Sequence, residues 1–345
     1  MAFNFFKIFQ PKIFGITLSF FLFLFAEALF ASDTLFLFYI NGDENLTTFM
    51  GINQSRVAYD NIRKNLVASN SDGLILYDTY QNTSESPKKS GAGATYYDLI
   101  QKGKKIVHTE ISETDLTDQK VLSGFLNKAE KLFPFHKKIF IYWGHKIPCT
   151  KEACFDMSHK EASYSMKDFI YSIIKVTEGR KGYFELMIFD CCAMATLNNV
   201  VLLSKITKYF IASELNLDAR GFSYEFLLSA KNYLNKADDT NIVKLGKLII
   251  DTSKKRLFSE GSLLDLSLSL IKVPYDERKK INRLKSFILQ QGFIDETFEI
   301  EPKMFDIGYL AGKKPDFINE LLVYHAEYSD LSGENTIYSG LAVEH

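Results

Sequence analysis

Two short apolar runs in this chain end in side chains that can do nucleophilic chemistry. Residues 139–145 read IFIYWGH and residues 186–194 read LMIFDCCAM. Each has the length of a strand buried on both faces of an α/β sheet. One closes on Trp143, Gly144 and His145, the other on Asp190, Cys191 and Cys192. Open α/β sheets bind ligands outside the carboxyl ends of their strands. If the two runs are parallel neighbours, an imidazole and a thiol meet on that edge.

A thiol attacks an amide at a useful rate only when its pKa is depressed or a base stands beside it. His145 is the candidate base, and the candidate general acid for the leaving amine. Alternation along an extended backbone puts Cys192 and Asp190 on one side and turns Cys191 into the core. Main-chain N–H groups around Gly144 and Lys146, and at Cys192, are the available donors for a developing oxyanion. A helix opening at Cys192 would add its positive end in favour of the thiolate. Asp190 is expected either to orient a loop or to hold a cationic group of the substrate. On spacing alone, two inert core strands with a buried cysteine and a capping histidine remain an equal alternative.

The elements that must carry these residues follow a βαβ rhythm. Residues 34–41 form an aromatic and aliphatic strand, followed by a turn at 42–45 and a loosely amphipathic helix to residue 66. A second strand spans 73–80, and 95–99 with 105–110 read as an edge ribbon. A helix capped by Thr117 or Asp118 presents Val121, Leu122, Phe125, Leu126, Ala129 and Leu132 on one face, and Pro134 ends it before the strand bearing His145. The polar stretch from His145 to Ser165 has the length of a functional loop. A helix at 166–176 precedes the strand of Cys192, and a strand at 209–212 ends on Ser213 and Glu214. This alternation predicts an α/β fold with a mostly parallel sheet. Beyond residue 235 the segments 242–251, 262–270 and 276–291 read as helical. Strand character returns from 320 to 343, so a catalytic region at 33–234 is followed by a mainly helical region at 235–345 whose last strands return to it.

Composition narrows the function. Lys and Arg number 41 against 42 Asp and Glu in 345 residues, so no basic field points to nucleic acid. The clusters Lys88-Lys89, Lys104-Lys105 and Lys279-Lys280 are short, solvated faces. Lys7 and Lys12 precede an apolar run at 13–25, and Ala26-Glu27-Ala28 supplies small residues at a cleavage spacing, which makes 1–28 a secretory signal peptide. The expected location is secreted or periplasmic, with no membrane partner after cleavage; an uncleaved leader would instead anchor the chain. Export permits disulfides, and Cys149 with Cys154 can close a small loop. The same two cysteines with His159 lack a C-x-x-C pair and do not make a zinc site.

The motif Phe189, Asp190, Cys192, Met194 resembles the nucleophile motif of the clostripain-like cysteine peptidases, relatives of caspases, legumains and gingipains. Further similarity lies in YINGDENL at 39–46, in the helix, proline and strand of 122–143 that lead to His145, in 211–224 with its Ala-Ser-Glu and Gly-aromatic pair, and at 261–266, with a weaker echo at 337–341. The resemblance implies a caspase-like three-layer α/β/α sandwich, a Cys192–His145 dyad, endopeptidase activity on peptides or proteins, and no cofactor beyond the calcium that some relatives need. It also implies substrate contacts from Asp190, Ser213, Glu214, Asp218 and Arg220. Lys146 stands where relatives carry glycine, and Arg220 where those that cut after Arg or Lys carry an acid. A weakened basic P1 preference is therefore expected, with Arg220 as reader of an acidic or uncharged residue. The same departures motivate the alternative of a catalytically inactive, caspase-fold binding or regulatory module. An acyltransferase using the same dyad is a third reading.

Overall fold

The computed structural model describes residues 34–42, 52–79, 93–145, 165–234, 238–262, 264–274, 299–301, 304–306, 321–328 and 341–344. The expected signal peptide, the turn residues 43–45, the loop 146–164 with Lys146, Cys149, Cys154 and His159, and the helix expected at 276–291 lie outside them.

Along the chain run β1 (Thr34–Gly42), α1 (Gln54–Ala68), β2 (Asp72–Thr79), β3 (Ala94–Gln101), β4 (Lys105–Ile111), α2 (Gln119–Leu132), β5 (Lys137–Trp143), α3 (Met166–Thr177) and β6 (Leu186–Asp190). There follow α4 (Leu197–Leu203), β7 (Tyr209–Ser213), α5 (Phe226–Leu234), α6 (Asp239–Ser259), β8 (Leu266–Lys272), β9 (Glu299–Glu301), β10 (Met304–Asp306), β11 (Leu322–Tyr328) and β12 (Ala342–Glu344). Nine strands form one sheet in the order β11-β8-β7-β6-β5-β1-β2-β3-β4, and β12-β10-β9 form a second, small sheet.

The middle of the large sheet, from β2 to β7, is parallel. Antiparallel strands flank it on both sides, β3 and β4 at one edge and β8 and β11 at the other. The sheet is therefore mixed, with its parallel part where crossover helices cover both faces. Side-chain alternation in β1 sends Leu35, Leu37 and Tyr39 to one face and Phe36, Phe38 and Ile40 to the other. The first face packs on α2, α3 and α4, the second on α1, α5 and α6. Both halves of every central strand are thus apolar, as the unbroken runs in the sequence required. The result is a three-layer α/β/α sandwich.

Helix starts follow their caps. Asp118 accepts the N–H of Lys120, Ser165 that of Asp168 and Asp238 that of Asn241, each relieving an orphan donor of a first turn.

Beyond residue 235 the sequence reading needs correction. Residues 262–270, read as helical, hold strand β8, and β8 and β11 both extend the large sheet across residue 235. The described part of 235–345 is one long helix, α6, and five strands. The alternation of Leu266, Leu268 and Leu270 with Ser267 and Ser269 is a period-two signal. Both serines are buried, Ser267 donating to Glu214 and Ser269 bonding His325 of the neighbouring strand β11.

Candidate active site

Strands β5 and β6 are parallel neighbours, with Trp143 opposite Asp190 in their register. His145 and Cys192 each stand two residues beyond that pair, so the register brings them to the same height at the carboxyl edge. Both line one cavity of about 50 Å³, together with Trp143, Gly144, Asp190, Leu217 and Asp218. Burial holds the His145 imidazole below its ordinary pKa of 6.5. Neutral imidazole is the form that accepts a proton.

Cys191 is buried in the core on the α2–α4 face, while Cys192 packs partly buried on the opposite face. The alternation read from the sequence put them there. Cys192 does not open a helix, however. A turn follows it, Ala193 adopts a left-handed φ of 51°, and α4 begins only at Leu197 with Thr196 as its cap. Main-chain groups of Leu217 lie at the sulfur instead: its N–H donates to Cys192 Sγ at 3.2 Å, and the thiol donates to its carbonyl at 3.7 Å. Nothing in the residue type of Leu217 marked it, because the contact is made by backbone.

Gly144 has φ +153°, and a side chain there would press on the Asn41 carbonyl and the Tyr142 hydroxyl. Its N–H reaches the Asp190 carbonyl at 3.4 Å, extending the β5–β6 ladder by one residue. That direction turns it away from an oxyanion, against the sequence expectation.

Asp190 is 2% exposed and its carboxylate faces the protein. The Phe222 N–H donates to both carboxylate oxygens, at 2.9 and 3.0 Å, and the Tyr224 hydroxyl donates to Oδ2. Burial pushes the carboxyl up to about 6 even though those donors and Arg256 pull the other way. Of the two roles expected for Asp190, the geometry is that of loop orientation rather than of substrate contact. Gly221, at φ +67°, passes so close that an added Cβ would lie 2.5 Å from either carboxylate oxygen.

Ser213 and Glu214 are fully buried and do not line the cavity. The Ser213 carbonyl accepts the Ala195 N–H at 2.8 Å, and Glu214 accepts the Ser267 hydroxyl at 3.2 Å. Ser213 thus braces the turn after Cys192, and Glu214 ties the end of β7 to β8.

Asp218 does line the cavity, but Arg220 does not. The Arg220 guanidinium grips Asp218 through Nε at 2.8 Å and Nη2 at 2.5 Å, and Nη1 donates to the Glu260 carbonyl at 2.8 Å. Ser262 Oγ donates to the same Asp218 carboxylate, and Arg256 to the Arg220 carbonyl. Burial works against the Asp218 charge, but the bonds and charge of Arg220 outweigh it and hold the carboxyl below its usual value. Arg220 faces a separate cavity of about 680 Å³ behind the loop, between α1 and the end of α6. Its expected role as a reader of the substrate is replaced by that of a tie within the 217–221 loop.

Asp190 and Asp218, the acids beside the cavity, both accept from protein donors. Among the described residues no three His, Cys, Asp or Glu side chains are grouped to hold a metal.

The family model described as the Clostripain family (peptidase C11) matches residues 38–284. Among solved structures, the fold is similar to a secreted C11 cysteine protease from Bacteroides thetaiotaomicron in complex with an irreversible peptide inhibitor, with a TM-score of 0.64, 15% identity, and 91% of this chain and 92% of that one covered. It is also similar to an inactive zymogen C11 protease from Parabacteroides distasonis, with a TM-score of 0.57 at 15% identity over 91% of this chain and 92% of the other. No curated protein sequence matches the chain.

Proposed function

The chain belongs to the clostripain family of cysteine peptidases, and on that premise we propose that it is an endopeptidase with Cys192 as nucleophile and His145 as general base and acid. The observation that carries this reading is that the two side chains line one cavity at the ends of register-matched parallel strands. The Cys192 sulfur attacks the scissile carbonyl, and the oxyanion is taken by main-chain N–H groups at Cys192 and Lys146. His145, having accepted the thiol proton, delivers it to the departing amine. It then deprotonates the water that releases the acyl group and regenerates the thiol.

The P1 residue follows from the charge balance of the cavity wall. Asp190 is covered by Phe222, Tyr224 and the Gly221 backbone, and Asp218 is neutralised by Arg220. Neither acid offers a long cationic side chain an open partner, and the cavity is small. The preferred P1 residue is therefore small and uncharged. The leader sequence supports export, to the periplasm or outside the cell. Among the described residues no helix is long and apolar enough to cross a membrane.

The test is cleavage of a peptide library randomised at P1 by a chain lacking residues 1–28, beside its Cys192→Ala and His145→Ala forms. Cleavage lost in both variants, with small uncharged residues enriched at P1, is the expected result. An intact chain that cleaves nothing, with or without calcium, and whose Cys192 resists alkylation overturns the peptidase reading in favour of a binding module.

A further inference from the structure

We propose that strand β12, some 150 residues downstream of the nucleophile, is a positioning element for it, and that Ala342 acts by holding the strained turn after Cys192. The inference rests on the reading of Cys192 as nucleophile. The turn is unusual because Ala193, immediately after the nucleophile, sits at φ 51°. Left-handed backbone is costly for a residue with a Cβ and persists only where the surroundings over-determine it.

Three main-chain bonds do so. The Ala193 N–H donates to the Leu215 carbonyl in the loop after β7 at 3.0 Å, and the Ala195 N–H to the carbonyl of Ser213 at the end of β7 at 2.8 Å. The third comes from the opposite side. Ala342 N–H donates to the Ala195 carbonyl at 2.9 Å, within a parallel bridge between Thr196 and Ala342.

Packing repeats the arrangement. Ala342 and Ala193 are both fully buried and form one apolar cluster, with Cys192 packed against it. A methyl group at each position leaves no exposed margin for a larger side chain. Strand β12 is itself fixed by β10, with Ala342 opposite Asp306. The cysteine-bearing turn is thus clamped between the β7 loop and a strand from the far end of the chain, and the direction of the Cys192 sulfur depends on both.

The experiment uses the chain lacking residues 1–28 with Ala342→Pro, which deletes the donating N–H, Ala342→Leu, which overfills the contact, and Ala193→Gly, which takes left-handed backbone without strain. Ala342→Pro and Ala342→Leu should each lower kcat at least tenfold with KM within twofold of the parent. The pH at which Cys192 alkylates should move toward that of an ordinary thiol. Adding Ala193→Gly to Ala342→Pro should restore most of the loss, a coupling that a merely structural strand would not show.

An unchanged kcat in a folded Ala342→Leu chain, or strictly additive losses in the double variant, overturns the inference. Should Ala342→Pro fail to fold, amide hydrogen exchange across 192–196 in Ala342→Leu decides: faster exchange there than in β6 supports the clamp, and equal protection overturns it. Alkylation and exchange need no peptide cleavage. A parent chain that does not hydrolyse peptides, yet shows these shifts, would lose the peptidase reading and keep the clamp.

Discussion

The main-chain N–H of Leu217 points at the sulfur of Cys192 from 3.2 Å, across 25 residues of sequence. A donor on sulfur stabilises the thiolate more than the thiol, in the way that donors favour any charged form. The usual device of a helix N-terminus is absent at this cysteine, and the Leu217 amide stands in its place, beside a Leu217 carbonyl that accepts from the thiol at 3.7 Å. Replacing Leu217 by Pro removes that N–H. Alkylation of Cys192 at neutral pH should slow about tenfold, the equivalent of about 1.4 kcal/mol and the lower range for a hydrogen bond to a charged group. The measurement is the rate of iodoacetamide labelling against pH, with the parent's profile as reference.

Burial lowers the pKa of the His145 imidazole from its ordinary value. Since protonation removes the base, the acid limb of kcat/KM should fall below pH 6.5 rather than at or above it. His145→Ala should cost about 10²- to 10⁴-fold in kcat/KM. A limb at pH 7 or higher would contradict a desolvated imidazole in the free enzyme.

Asp190 carries a pH dependence of opposite sense to that of a paired surface acid. Its folded pKa, pushed up to about 6 by burial, lies above the ordinary 3.8. The folded state therefore binds the proton more tightly, and this contribution to stability is complete below about pH 4 and lost as pH rises through about 6. With about 1.4 kcal/mol per unit, the loss is of the order of 3 kcal/mol. Urea unfolding of the Cys192→Ala chain, with and without Asp190→Asn, between pH 4 and 7 isolates it. The stability difference between the two should move in favour of the Asn form as pH rises.

Gly221 is where the loop crosses the Asp190 carboxylate. An added methyl would need both a left-handed alanine and a displacement of carboxylate oxygens 2.5 Å away. Gly221→Ala should destabilise the fold by at least about 2 kcal/mol and abolish most peptide cleavage, because the same shift carries Leu217 off the sulfur. Urea midpoints and kcat/KM report the two effects separately.

Arg220→Ala tests the division of labour in the P1 wall. With the guanidinium removed, Asp218 faces the cavity uncompensated. Cleavage after Lys or Arg should then rise relative to cleavage after Ala, by about tenfold, as judged with the P1-randomised library. A reader of acidic substrates at position 220 would instead show only a loss of cleavage after Asp and Glu.

Much of this was legible in the residues. Strands buried on both faces have to be continuous runs of apolar side chains, so 34–41, 139–143 and 186–189 announced a sheet covered on both sides. Strict alternation sent Cys191 to the core and left Cys192 beside Asp190 at the edge. The helix cap at Asp118 was readable because capping is local chemistry. The pairing of Trp143 with Asp190, which sets His145 level with Cys192, was only decided by the register of two strands more than forty residues apart. No local pattern encodes a register. The Leu217 amide on sulfur, the Arg220 grip on Asp218 and the Ala342 bond to Ala195 depend on backbone groups or on which way a charged side chain turns. Every residue carries the same N–H and C=O, so their partners are written in the packing of the chain and not in the identity of its side chains.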